Sequence, residues 1–234
     1  FARQRGVDLI VMGTHGRGGV THLLLGSVAE RVVRTAPCPV LTIRGAGATE
    51  GADDRVEDRS GTGQARSARR TEVRSLLVAT DFSPAADAAL DIARTIAARF
   101  DASIHLLHVA EDPLLTEGLM AEAYLHASPI PRSRILDEAL GRVEGRLTPD
   151  DRVRFRATAN AIFGAPATTI VQYAADRRDD LIVMGTHGYT GARHLLFGSV
   201  AEAVVRTAPC PVLTVRQAVV EQHETEAQAV ASRR

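Results

Sequence analysis

With 234 residues, 45% of them apolar and 24% charged, the chain has the makeup of a globular protein with core material for one or two domains. Its 28 Lys and Arg balance its 28 Asp and Glu, so no net field favours nucleic acid or an anionic membrane surface over other partners. Apolar runs such as Leu181 to Met184 fall far short of the ~20 residues a spanning helix needs, which excludes a helical membrane protein as the expectation.

The chain opens on Phe1 and passes at once into a helix-to-strand pattern, which reads as the later part of a domain cut upstream. Asp8 to Arg44 (DLIVMGTHGRGGVTHLLLGSVAERVVRTAPCPVLTIR) returns as Asp180 to Arg216 (DLIVMGTHGYTGARHLLFGSVAEAVVRTAPCPVLTVR), with seven of 37 aligned positions different. Two copies so far apart fit a duplicated domain better than a solenoid. The expected organisation is therefore residues 1–44 as the end of a first domain and residues 73–216 as a complete second one. Residues 45–72, rich in Gly, Ser, Thr and charge, lack apolar periodicity and read as a flexible linker spanning roughly 30 Å. Residues 217–234 read as a polar tail.

Within the complete copy, Ser75 to Thr80 is an apolar strand, and Ser83 followed by Pro84 is an N-cap with the proline favoured at the first helical position. Ala86, Leu90, Ala93, Ile96, Ala97 and Phe100 then form one apolar helix stripe. Ser103 to Val109 is the next strand, and Glu111 to Pro131 is punctuated by proline and has no single reading. A second helix runs through Ile135, Ala139, Val143 and Leu147, and Val153 to Ala159 alternates as a strand. Ala167 to Ala175 is a helix, Leu181 to Met184 a buried strand, Ser199 to Arg206 a helix and Val212 to Val215 the last strand. Strands joined by helical crossovers lie parallel, so the fold class is α/β with a doubly wound parallel sheet.

The segments LLVATDFSP, LLHV, DLIVMGTHG and PCPVLTVR, with the glycine spacing Gly185, Gly188, Gly198 and then Ser199, resemble the universal stress protein family across residues 73–216, and Phe1 to Arg44 resembles the last third of another copy. The resemblance implies a five-stranded Rossmann-like sheet of order 3-2-1-4-5 that binds ATP, with Mg²⁺ accompanying the nucleotide. That order sets the first and fourth strands side by side where the winding reverses, the place where open parallel sheets bind ligands. Asp81 would reach a ribose hydroxyl or the Mg²⁺, a hard cation that prefers oxygen. Gly185 and Gly188 would leave backbone N–H groups open to phosphate, and Gly198 and Ser199 begin a helix whose N-terminus attracts anions. By resemblance, Val109 packs on the adenine and Gly188, Gly198 and Ser199 hold phosphate or ribose. His187 is a secondary candidate for a phosphate contact.

Other uses of these residues compete. Ser199 with Glu202 three residues later is a capping box that needs no ligand. Asp81 is suited to shaping the turn before Ser83. Gly13, Gly16, Gly26 and Ser27 repeat the cradle in the first copy, but no first strand precedes them to supply an acid, so only half a site is expected there. His105 and His108, three apart in a strand, face opposite sides and do not form a metal pair. Cys38 and Cys210, each between prolines, answer one structural demand twice; two cysteines fit a reducing cytoplasm.

The functional expectation is an ATP-binding stress-response module whose occupancy alters its association, with at most slow hydrolysis or autophosphorylation, because no dedicated general base stands out. The alternative is a dimerisation scaffold of the same fold with an empty crevice. An enzyme that activates substrates with ATP would need a Ser-Gly-Gly phosphate loop after the first strand, and TDFSP is not one. Pairing of the two copies through their apolar last strands, Val40 to Arg44 and Val212 to Arg216, is the association the resemblance suggests.

Overall fold

In the computed structural model, residues 1–14, 26–44, 72–111, 131–186 and 198–216 are described. The elements of the second copy are β3 (Ser75–Ala79), α3 (Pro84–Phe100), β4 (Ser103–Ala110), α4 (Arg132–Glu144), α5 (Pro149–Arg154), β5 (Thr158–Phe163), α6 (Pro166–Arg177), β6 (Leu181–Gly185), α7 (Ser199–Thr207) and β7 (Val212–Val215). The first copy supplies α1 (Ala2–Arg5), β1 (Ile10–Gly13), α2 (Ser27–Thr35) and β2 (Val40–Ile43).

The seven strands of the described residues belong to one sheet of order β1-β2-β7-β6-β3-β4-β5. The five strands of the second copy follow the expected 3-2-1-4-5 order and all pair in parallel. The five-stranded sheet expected for that copy is thus extended to seven: β2 pairs antiparallel with β7, and β1 pairs parallel with β2.

Alternation along β3 divides the core. Leu76 and Val78 enter a layer with Leu90 and Ala93 of α3 and Val143 of α4, whereas Leu77 and Ala79 enter the opposite layer with Ile170 of α6 and Val204 of α7. Leu76, Leu77 and Val78 are fully buried, and each such side chain contributes about 2 kcal/mol through removal from water. A strand covered on both faces has no polar side to show, which is why it reads as a continuous apolar run. Val33 and Val40 of the first copy share the second layer.

One part of the sequence reading is corrected. Val153 to Ala159 is not a strand: Pro149–Arg154 is a short helix, and the strand lies at Thr158–Phe163. Thr148 accepts from the Asp151 amide while the Asp151 carboxylate accepts from the Thr148 amide, a complete capping box with Pro149 at the first helical position. Those two hydrogen bonds satisfy amides that a strand here would leave to other partners, and they outweigh the period-two pattern of VRFRATA.

Candidate functional site

Because β3 and β6 pair in register from Leu76↔Leu181 to Ala79↔Met184, the residues that follow them leave the sheet side by side. The chain turns outward from β3 through Thr80, Asp81 and Phe82. The Phe82 amide donates to Thr80 Oγ1 at 3.1 Å, the Ser83 amide donates to Asp81 Oδ1 at 3.0 Å, and Ser83 Oγ accepts from the Ala86 amide to cap α3. Phe82 takes the left-handed conformation, φ 66°, that this sharp exit requires. One Asp81 oxygen therefore shapes the turn, while the residue itself stays exposed at the mouth of the sheet.

Beyond β6, the Thr186 amide donates to Val215 O at 2.9 Å and the Gly198 amide donates to Thr186 O at 2.8 Å, so Thr186 is tied to β7 and the start of α7 is tied to Thr186. The expected capping box at Ser199 and Glu202 does not form. Gly198 is the N-cap and no side chain caps α7, because Ser199 already occupies the first helical position, one residue too late to act as a cap.

These strand ends enclose a crevice of about 470 Å³, within the range of small-molecule sites. Asp81, Val109, Gly185, Gly198 and Ser199 all line it. Its apolar side is formed by Val109, Pro166, Ile170 and Met184; the first turn of α7 forms another side. His187 and Gly188, like Gly16, the stretch 45–71 and residues 217–234, lie outside the described residues. Among the described lining residues the charged groups are Asp81 and Glu111, both acids. No group of three metal-ligating side chains occurs among the described residues.

Gly185 has a packing role the sequence reading did not give it. A Cβ there would stand 2.9 Å from the Ala85 Cβ and 3.0 Å from the Ala86 nitrogen, so the glycine admits the first turn of α3 against the end of β6. Thr80 and Thr186 also border the crevice, and an isolated Thr carries no spacing signal that could have marked them; His108, read in the sequence only as one of two histidines that do not form a metal pair, borders it too. His108 donates from Nδ1 to Thr80 O at 2.8 Å, the carbonyl being able only to accept, and its ring lies 4.5 Å from that of Phe82.

His105, on the strand face opposite to His108, lies toward the other end of the strands from the crevice. Its Nδ1 is 2.8 Å from Asp179 Oδ1 and its Nε2 2.9 Å from an Arg177 nitrogen, and Ser75 Oγ bonds the same Asp179 oxygen. Burial, with Asp179 and Asp180 nearby, pushes the Cys210 thiol up to about 12. Burial and Asp8 also raise Cys38. The antiparallel β2–β7 register places the two cysteines beyond opposite ends of the paired segment, so they do not meet.

The first copy repeats these two hydrogen bonds: the Thr14 amide donates to Ile43 O at 3.1 Å and the Gly26 amide to Thr14 O at 3.0 Å. Yet β1 is the outer strand, and Val11 is 56% exposed where its counterpart Val183 is 0% exposed. Among the described residues no strand flanks β1 to bring an acid beside Gly13, Gly26 and Ser27.

Comparison with known proteins gives a consistent result. The sequence model of the Universal stress protein family matches residues 1–44 and 72–216. A universal stress protein of Methanocaldococcus jannaschii is 34% identical over 145 residues, 62% of this chain and 82% of that relative. One from Mycobacterium tuberculosis is 30% identical over 214 residues, 90% of this chain; the chain spans only 62% of that relative's length. Among solved structures, a second M. jannaschii protein is 29% identical with a TM-score of 0.50, covering 62% of this chain and 96% of the other. A universal stress protein from Archaeoglobus fulgidus shares the fold at 23% identity, with a TM-score of 0.56 over 92% of this chain and 64% of the other.

Proposed function

The chain belongs to the universal stress protein family, and from that premise we propose that residues 73–216 form an ATP-binding module of the stress response, working with Mg²⁺. One observation carries the reading: an uncapped helix N-terminus and a carboxylate, from adjacent parallel strands, face one crevice with an apolar side. The first amides of any helix lack intrahelical acceptors, and those of α7 border the crevice with no side-chain cap among the described residues, a setting that favours phosphate. Val109 and Ile170 offer an aromatic base a dry surface. Asp81 and Glu111 would repel a bare triphosphate; Asp81 would hold Mg²⁺ there, and the ion would offset that repulsion. The donor set on the protein side is oxygen, as Mg²⁺ prefers, and the ion would screen phosphate charge. The chain's own residues orient the nucleotide; none is assigned as a general base.

A second reading, a scaffold with the same fold and no nucleotide, is favoured by Gly185, whose lack of a side chain the α3 contact alone explains. Pairing of copies through β2 and β7 is common to both readings. Thermal melts with ATP, ADP and AMP, with and without Mg²⁺, separate them. Nucleotide at a hundred times its dissociation constant stabilises by about 2.7 kcal/mol, so the module shows a rise in Tm with ATP that is larger with Mg²⁺. A scaffold shows the same Tm in every mixture.

A further inference from the structure

Among the described residues, four side-chain hydrogen bonds cross between the copies, and they come in two reciprocal pairs. Thr42 Oγ1 donates to Val212 O at 3.0 Å, and Thr214 Oγ1 to Val40 O at 3.2 Å. Arg44 donates from Nη1 to Ala208 O at 3.1 Å, and Arg216 from Nη1 to Ala36 O at 2.9 Å. Each partner is displaced from its counterpart by the spacing of the sequence repeat, so the contact is pseudo-twofold, with one surface used twice. Ala36 and Ala208 close α2 and α7. Each arginine thus binds the carboxyl end of the other copy's helix, where orphan carbonyls and the negative end of the helix dipole favour a cation.

This matters for the crevice because α7 has two ends. Its first turn lines the crevice, and its last carbonyls are held by a residue of the first copy. The strand beside it is tied in the same two directions: Val215 O accepts from the Thr186 amide at the crevice, while Thr214, next to it, reaches across to Val40. Nine residues of α-helix are rigid on the scale of a hydrogen bond, so a shift at Ala208 is felt at Ser199.

We propose that Arg44, supplied by the first copy, is a positioning residue for the nucleotide crevice of the second, acting through the carboxyl end of α7. Copy pairing and nucleotide binding are then coupled: the paired first copy holds the anion-facing amides where phosphate needs them. The proposal rests on the nucleotide reading of the crevice, and its test has one arm that does not.

Arg44→Ala, Arg44→Gln and Arg44→Lys are compared with wild type and with Arg34→Ala, a surface control on α2 that pairs with Glu30. Amide hydrogen exchange without ligand is read at Thr186 and residues 198–201, and ATP affinity by calorimetry. Arg44→Ala and Arg44→Gln are expected to exchange faster there and to bind ATP about fivefold more weakly, the low end of measured site coupling. Arg44→Lys, which keeps a cationic donor, restores most of both, and Arg34→Ala changes neither. Unchanged exchange and affinity in folded Arg44→Ala or Arg44→Gln overturn the proposal. Should wild type take no ATP, the nucleotide reading fails and the exchange arm still decides whether Arg44 orders this wall.

Discussion

Asp81 and Ser199 stand on adjacent sides of one crevice and illustrate how a residue can serve the fold and remain available to a ligand. Asp81 spends one oxygen on the turn to Ser83, yet it is exposed. Ser199 is exposed at the first position of α7 and caps nothing. This lets the phosphate role be separated from stability. Ser199→Asp places a carboxylate at a helix N-terminus, where it stabilises the helix by about 0.3–1 kcal/mol, while setting a negative charge where phosphate would lie. The expected outcome is an unchanged or slightly raised Tm together with at least a tenfold loss of ATP affinity by calorimetry, a result that a collapse of the fold does not produce. Gly185 and Ser199 also show where single-residue reading fails. The glycine was legible as a special position but not its reason, since the helix that crowds it, at Ala85 and Ala86, lies a hundred residues upstream. The Ser199 and Glu202 spacing matched a capping box, but the helix begins one residue too early for it to close.

At the scale of elements, the strands of the second copy were legible because both their faces are buried, as the burial of Leu76, Leu77 and Val78 shows. The half-covered outer strand β5 was not, for Thr158 is exposed and its other residues are only partly buried. Short α5 holds the more stringent contact in that region. Arg94 on α3 donates from Nε to Asp151 Oδ1 at 2.9 Å and from Nη2 to Asp151 Oδ2 at 2.7 Å, and a further Arg94 bond reaches Arg146 O. Burial would raise the Asp151 carboxyl, but Arg94, with the amide and hydroxyl of Thr148, holds it below its ordinary value of 3.8. A carboxyl depressed in the folded state contributes stability that is present above that ordinary value and is lost as the pH falls through it toward the folded value. Asp151→Asn is therefore expected to cost about 2 kcal/mol at neutral pH, measured by urea denaturation, and to flatten the loss of stability below about pH 4. A variant whose acid profile parallels wild type would show that this pair does not set the acid limit.

For the whole molecule, the repeat in the sequence announced two copies, and their apolar last strands suggested an edge pairing, but not the direction and register that merge both copies into one sheet. That needed the antiparallel β2–β7 pairing, a long-range contact between strands whose local patterns are nearly the same. Its consequence is an asymmetric molecule. One copy presents a crevice with an acid on one strand end and an uncapped helix on the next; the other presents anchored glycines beside the sheet's outer strand, with Val11 turned to solvent. Two near-identical motifs thus receive different surroundings, and only one stands beside an acid among the described residues. The direct measurement is isothermal titration of the 234-residue chain with ATP in the presence of Mg²⁺. Saturable binding of one nucleotide per chain is the predicted result, and a flat titration at millimolar ATP, with the chain folded, would contradict it.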